Sequence, residues 1–155
     1  MAATIVEALD PRCVSLDLKA KKKPEIIREL VALLADAGMI TDADTVTREV
    51  LEREALTTTG IGGGIAIPHC LSASASTTRI AFGRRKSGAK FDAVDKRPVQ
   101  LFFLMVGPPG AHNDHLRLLS RLARYLHDTK LRQALLGARN ADEVLALFHD
   151  REPSP

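Results

Sequence analysis

The run Thr57-Thr58-Thr59-Gly60-Ile61-Gly62-Gly63-Gly64-Ile65-Ala66-Ile67-Pro68-His69 begins rich in threonine and glycine and ends as a brief strand, Ile65 to Ile67, that Pro68 stops. Gly60, Gly62, Gly63 and Gly64 permit close backbone approach and unusual dihedrals. Exposed amides in such a loop can receive an oxyanion. Thr58 and Thr59 add hydroxyl donors, and Arg53, just upstream, offers a planar fork suited to phosphate. Because His69 follows a strand-ending proline, its ring is expected at a sheet edge and not on a mobile tip. A glycine loop that opens a strand, set between helical and apolar segments, points to an α/β fold.

Outward from this run the pattern is consistent. Toward the N-terminus, Cys13 to Leu18 alternates with period two and predicts a strand. Pro24 to Gly38 has apolar residues at 26, 27, 30, 33, 34 and 37, with Pro24 suited to a first turn and Gly38 to a C-terminal cap. Asp42 or Asp44 caps a second expected helix through Val46, Val50 and Leu51, ending near Arg53.

Toward the C-terminus, Arg79 to Arg84 and Val99 to Val106 read as strands. The second is nearly all apolar and is expected in the sheet centre, covered on both faces. Ser87 to Arg97 reads as a polar connection or hairpin. After Pro108-Pro109-Gly110, Asn113 or Asp114 is expected to cap a helix with an apolar stripe at Leu116, Leu119, Leu122, Ala123 and Leu126. Two short helices follow, Lys130 to Leu136 and Asp142 to Phe148, and the tail from Arg151 is expected to fray. With no repeat and no dividing linker, residues 1–155 form a single domain with its core at about 10–150. Helices that flank and alternate with strands indicate an α/β sandwich.

Composition narrows the function classes. The chain is 45% hydrophobic and 26% charged, with a net charge of +3, an ordinary globular balance without the dense basic field of a nucleic-acid binder. No apolar run approaches the roughly 20 residues that span a bilayer, so no direct membrane insertion is expected. The N-terminus carries Glu7 and Asp10 and lacks a signal pattern, and two cysteines, Cys13 and Cys70, make no secreted framework. A reducing cytoplasm is the expected compartment. Nucleotide loops are excluded as well. A Walker loop needs Gly-Lys followed by Ser or Thr, whereas Gly64 precedes Ile65-Ala66; the dinucleotide fingerprint needs glycine where Ile65 stands. The glycines therefore serve a phosphate without a nucleotide, or serve the fold alone.

A second histidine lies in His112-Asn113-Asp114-His115-Leu116. In the first turn of a helix, His115 would face unpaired amides and the positive dipole end, a place for an anion. That setting opposes imidazole protonation, so neutral His115 could donate an N–H to a phosphoryl oxygen. The alternative is a polar residue at a helix end with no further role.

The run Thr58 to His69 resembles the phosphorylation-site signature of the mannitol/fructose-type IIA domain of the bacterial phosphoenolpyruvate-dependent phosphotransferase system, a family that includes a nitrogen-regulatory branch. The resemblance extends to Arg53-Glu54, to Pro98-Val99 opening an apolar strand, and to His115-Leu116 in the next helix, over roughly residues 10 to 150. It implies the IIA fold, a mixed sheet with helices on both faces. It implies a phosphotransferase component in which His69 is phosphorylated through Nε2, His115 is the supporting histidine and Arg53 the nearby cation. Thr58, Thr59, Gly60, Gly62, Gly63, Gly64 and the amides near Leu116 are expected to hold the phosphoryl oxygens, without metal or cofactor. The donor implied is a histidine phosphocarrier protein (HPr-like), and the acceptor a IIB domain or a regulatory target.

There are departures from the family pattern. Cys70 replaces a small residue, Thr58 replaces serine, and Lys96-Arg97 stand in a loop that is usually more acidic. A sequence without fused transporter or IIB segments shifts the expectation toward the nitrogen-regulatory branch, although separate sugar-specific IIA chains also exist. Two rival readings stand beside this one: a metal-dependent hydrolase using His69, Cys70, His112 and His115, and a protein-binding regulator that carries no phosphate. The basic positions Arg117, Arg121 and Arg124 are expected on a solvated helix face, or as a dock for an acidic partner.

Overall fold

A computed structural model of the protein describes residues 4–152. The order is α1 (Ile5–Ala8), β1 (Leu9–Ser15), α2 (Lys23–Asp36), α3 (Ala43–Leu56), β2 (Gly60–Gly62), β3 (Ile65–Ala66), β4 (His69–Leu71), β5 (Arg79–Ala89), β6 (Val99–Gly107), a 3-10 turn (Pro109–Ala111), α4 (His112–Leu126), α5 (Thr129–Gly137) and α6 (Ala141–His149). The strands form one mixed sheet in the order β1-β5-β6-β3-β2, with β4 also paired to β6. Strand β6 runs antiparallel to β5 and parallel to β3 and β4.

The apolar run that forms β6 is central, as its composition requires. Phe102, Leu104 and Val106 point into a core with Ile26, Ile27 and Leu30 of α2 and Val46 and Val50 of α3. Leu101, Phe103 and Met105 point the other way, into a core with Leu118 and Leu122 of α4, Leu131 of α5 and Phe148 of α6. Period-two alternation thus feeds two helical layers from one strand. Both faces are covered, and the fold is the mixed, doubly covered sheet expected.

Local details differ from the sequence reading for identifiable reasons. The first strand is Leu9–Ser15, displaced toward the N-terminus from the Cys13–Leu18 alternation, because β1 pairs parallel with β5 through Leu9, Val14 and Ser15. Asp42 caps α3 by accepting from the Thr45 amide, but the helix continues past Arg53 to Leu56. The strand from Arg79 runs on to Ala89 and takes up the start of the polar stretch. Helix α4 starts at His112 behind Ala111, with no side-chain cap, in place of a cap at Asn113 or Asp114. Its buried stripe is accordingly His115, Leu118, Leu122 and Leu126; Leu116 faces outward and Leu119 is half-buried.

The tail is tied down as far as it is described. The Glu152 carboxylate accepts from the Ile5 and Val6 amides at 2.7 and 2.9 Å and pairs with Arg121 at 3.7 Å, while Arg151 pairs with Asp128 at 2.8 Å. Residues 153–155, where fraying was also expected, lie outside the described residues. Arg121 therefore belongs partly to the fold and not wholly to a solvated face.

Arg84 is a buried cation that does structural work. Its guanidinium donates to the carbonyls of Leu16, Leu135, Leu136 and Ala138 at 2.7–3.1 Å, closing the C-terminal end of α5 onto the sheet. A cation at a helix C-terminus meets both the dipole and the unpaired carbonyls. Arg84→Met keeps the stem but leaves these carbonyls without donors, a loss of about 3 kcal/mol. We expect the thermal midpoint to drop by roughly 10 °C, measured by circular dichroism, at about 2–4 °C per kcal/mol for a chain of this size.

Candidate functional site

Three elements converge at the C-terminal end of β6. Helix α3 carries Arg53 and Glu54, β4 begins with His69, and α4 carries His112, His115 and Leu116. Pro68 ends the β3 segment, and the Met105 amide donates to the Pro68 carbonyl at 2.9 Å; His69 is then registered opposite Met105. The ring is placed by two main-chain constraints, as expected of a sheet-edge residue. It is half-buried, and its Nδ1–H donates to the Ile67 carbonyl at 2.8 Å. That bond fixes the tautomer and leaves Nε2 with a free lone pair. Burial and the nearby Arg53 charge hold the imidazole pKa below its usual value, so the ring is neutral at physiological pH.

His115 faces it. The ring centroids are 5.9 Å apart with the planes tilted by 50°. His115 is 3% exposed and neither ring nitrogen has a hydrogen-bond partner. Orphaned buried polar atoms cost about 1–3 kcal/mol each and call for an explanation. Burial, followed by the His69 and His112 charges, pushes the His115 pKa down to about 4. Both histidines lie in a cleft of about 620 Å³ lined also by Glu49, Glu52, Arg53, Cys70 and the exposed side chains Leu56 and Leu116.

The depressed pKa has a measurable consequence. Unfolded His115 takes a proton near pH 6.5, whereas the folded side chain takes it only near 4. Between those values the unfolded state binds more protons, so stability falls as the pH is lowered through that window. The decline is up to about 1.4 kcal/mol per pH unit, and the contribution is fully present above pH 6.5. His69 shifts in the same direction and adds to it. Urea midpoints measured from pH 7 to 4.5 should fall accordingly, and His115→Gln should flatten the slope.

His69, His115, Arg53 and Leu116 thus share one cleft. The other expected phosphate-binding positions do not line it. Thr59 spends its amide and hydroxyl on the buried Glu54 carboxylate, at 2.9 and 2.6 Å, and Lys23 completes that cluster at 2.9 Å. The Thr58 hydroxyl donates to the Phe91 carbonyl and accepts from the Gly60 amide, and Gly60 packs against Ala93. Gly62, Gly63 and Gly64 all have positive φ, the requirement of the tight turn from β2 into β3. The Gly63 amide donates to Asp95, and Gly63 and Gly64 line a different cleft, with Arg132 and Gln100. Leu116 offers its side chain at the rim, because the helix begins four residues earlier and its amide falls inside the helical ladder. The unpaired amides belong to the turn His112 to Asp114.

Two residues that sequence reasoning passed over shape the site. A Cβ at Gly107 would sit 2.8 Å from His115 Nδ1 and 2.9 Å from Thr78 Oγ1, so only glycine lets the ring lie against the end of β6. A glycine closing an apolar strand was a legible sign of close approach. Thr78, by contrast, carried no local signal.

The four residues of the metal reading line the same cleft but do not form a ligand set. No group of three His, Cys, Asp or Glu able to hold a metal ion occurs among the described residues. The Cys70 thiol is buried and pushed up to about 12 by burial and by Glu49.

Residues 7–151 match the family model for the phosphoenolpyruvate-dependent sugar phosphotransferase system, EIIA 2. The chain is 37% identical to the fructose-specific EIIA component of Haloferax volcanii over 93% of this chain and 94% of that protein. It is also 37% identical to the fructose-specific EIIABC component of Bacillus subtilis, over 96% of this chain, and spans only 23% of that longer protein. Among solved structures, nitrogen regulatory protein IIA-Ntr from Neisseria meningitidis superposes with a TM-score of 0.87 at 33% identity, over 93% of this chain and 98% of that one. The mannitol IIA of Escherichia coli, solved in complex with phosphorylated mannitol IIB, superposes with a TM-score of 0.78 at 25% identity, over 92% and 97% of the two chains.

Proposed function

The chain belongs to the EIIA 2 family of the phosphoenolpyruvate-dependent sugar phosphotransferase system, a phosphotransfer component, and on that premise we propose that His69 is its phosphoryl acceptor. The observation that carries this reading is the bond from His69 Nδ1–H to the Ile67 carbonyl beside an unpartnered, buried His115.

In the proposed step the Nε2 lone pair of His69 attacks phosphorus, the N–P bond of a donor phosphohistidine breaks, and the donor imidazole leaves with the electron pair. No base is needed because the acceptor ring is already neutral. Catalysis is then positioning and dispersal of charge over three oxygens. His115 donates one N–H, the amides of His112 to Asp114 donate from the helix start, and Arg53 offsets charge as donor and acceptor are pressed together. The glycine run shapes the β2–β3 turn and is left out of the oxygen-binding set.

The donor proposed is a histidine phosphocarrier protein (HPr-like), seated on the exposed Leu56 and Leu116 side chains, which are 82% and 47% exposed at the cleft rim. The proposed acceptor is a IIB partner or a regulatory target protein, in the cytoplasm. The mannitol IIA–IIB complex supports the former. No helix among the described residues is long and apolar enough to cross a membrane.

Incubation with phosphoenolpyruvate, the system's first enzyme and its histidine phosphocarrier tests the reading. The chain should take up one acid-labile, alkali-stable label. No label, or a label stable to acid, would overturn it.

A further inference from the structure

His115 presents a problem that the phosphoryl group alone does not solve. A neutral imidazole carries one N–H and one lone pair, and it can donate to a phosphoryl oxygen only from the nitrogen that holds the proton. In solution the two tautomers are close in energy, and a histidine that must donate from one nitrogen has its other nitrogen fixed by a partner. His69 has such a partner in Ile67. His115 has no hydrogen-bond partner at either nitrogen, main chain or side chain, and both nitrogens are buried.

The surroundings of Nδ1 supply the missing group. His115 Nδ1 and Thr78 Oγ1 lie 2.8 and 2.9 Å from one and the same point, the position that a Cβ on Gly107 would occupy. The hydroxyl and the ring nitrogen therefore flank the bare Cα of Gly107 with no side chain between them. Thr78 is buried at 7% exposure. Thr78 immediately precedes β5, whose Arg79 pairs with Val106, so main-chain pairing anchors its position. A hydroxyl is both donor and acceptor, but toward a lone pair it donates, which leaves the ring proton on Nε2.

Resting on the phosphocarrier reading of His69, we propose that Thr78 is a positioning residue that sets the tautomer of His115. Its Oγ–H donates to Nδ1 and holds the proton on Nε2, where it meets a phosphoryl oxygen. Such contacts are commonly long in unliganded sites and tighten when the charge they serve arrives. Gly107 is the second half of the device, since any side chain there would part the two groups. No bond is made or broken by Thr78 itself.

The test compares the unmutated chain with Thr78→Val, which keeps the shape and removes the hydroxyl, and Thr78→Ser, which restores it. Nitrogen NMR of the His115 ring, before and after phosphorylation, should show the Nε2–H tautomer in the unmutated chain and in Thr78→Ser, and a mixed population in Thr78→Val. Phosphoryl transfer to His69 should slow about tenfold in Thr78→Val at saturating donor, with KM little changed, and recover in Thr78→Ser. An unchanged His115 tautomer in Thr78→Val overturns the proposal, as does a Thr78→Ser variant as impaired as Thr78→Val, which would reduce Thr78 to packing. A chain that takes no label but shows the tautomer dependence would overturn the phosphocarrier reading and leave the Thr78–His115 coupling standing.

Discussion

With His69→Gln, uptake of label from the phosphorylated donor is expected to fall below detection while the chain stays folded. Glutamine can fill the half-buried pocket and donate to the Ile67 carbonyl, but its amide nitrogen has no basic lone pair to attack phosphorus. Neither His115 nor Cys70 can take over. His115 is 3% exposed with Nδ1 turned toward Gly107, so a docked donor cannot reach it in line. The Cys70 thiol, pushed up to about 12, has almost no thiolate near neutral pH. Circular dichroism checks the fold, and phosphorimaging of the chain checks the label. Persistent acid-labile label in this variant would place the acceptor elsewhere.

The second large effect is expected at a residue that touches neither phosphate nor partner. Gly107→Ala should slow transfer to His69 by about a hundredfold, because displacement of a positioning group by a fraction of an ångström to 1 Å costs that order in rate. The new methyl would meet His115 Nδ1 at 2.8 Å and Thr78 Oγ1 at 2.9 Å, closer than such atoms approach. Relief must come from the ring, since β6 is locked between β5 and β4. Single-turnover labelling against donor concentration separates the outcomes. A fall in the maximal rate with unchanged half-saturation fits a misplaced His115, whereas an unchanged rate would show that the ring's position is immaterial.

The layered fold was legible because it rests on local periodicity. The apolar β6 announces a central strand, and the spacing in Pro24 to Gly38 announces a helix on one face. The misses share a cause. Arg79 to Ala89 extends beyond its apolar part because a hairpin partner, Val99, is available to Ala89. The start of α4 moved to His112 because a 3-10 turn from Pro109 leads into it without any capping side chain.

At the site, one kind of information came from the chain itself and another from its folding. Pro68 before His69, the glycines that only a tight turn needs, and an imidazole near a helix start are local facts, dictated by backbone sterics and readable one residue at a time. Which side chains stand together is not local. The hydroxyls of Thr58 and Thr59 look like phosphate donors in sequence, yet they are spent on Phe91 and Glu54. The distance between His69 and His115, the room made by Gly107 and the nearness of Thr78 depend on how β4, β5, β6 and α4 pack. Hydrogen bonds and steric contacts act over a few ångströms in space, whatever the separation along the chain, so only the tertiary structure could decide them.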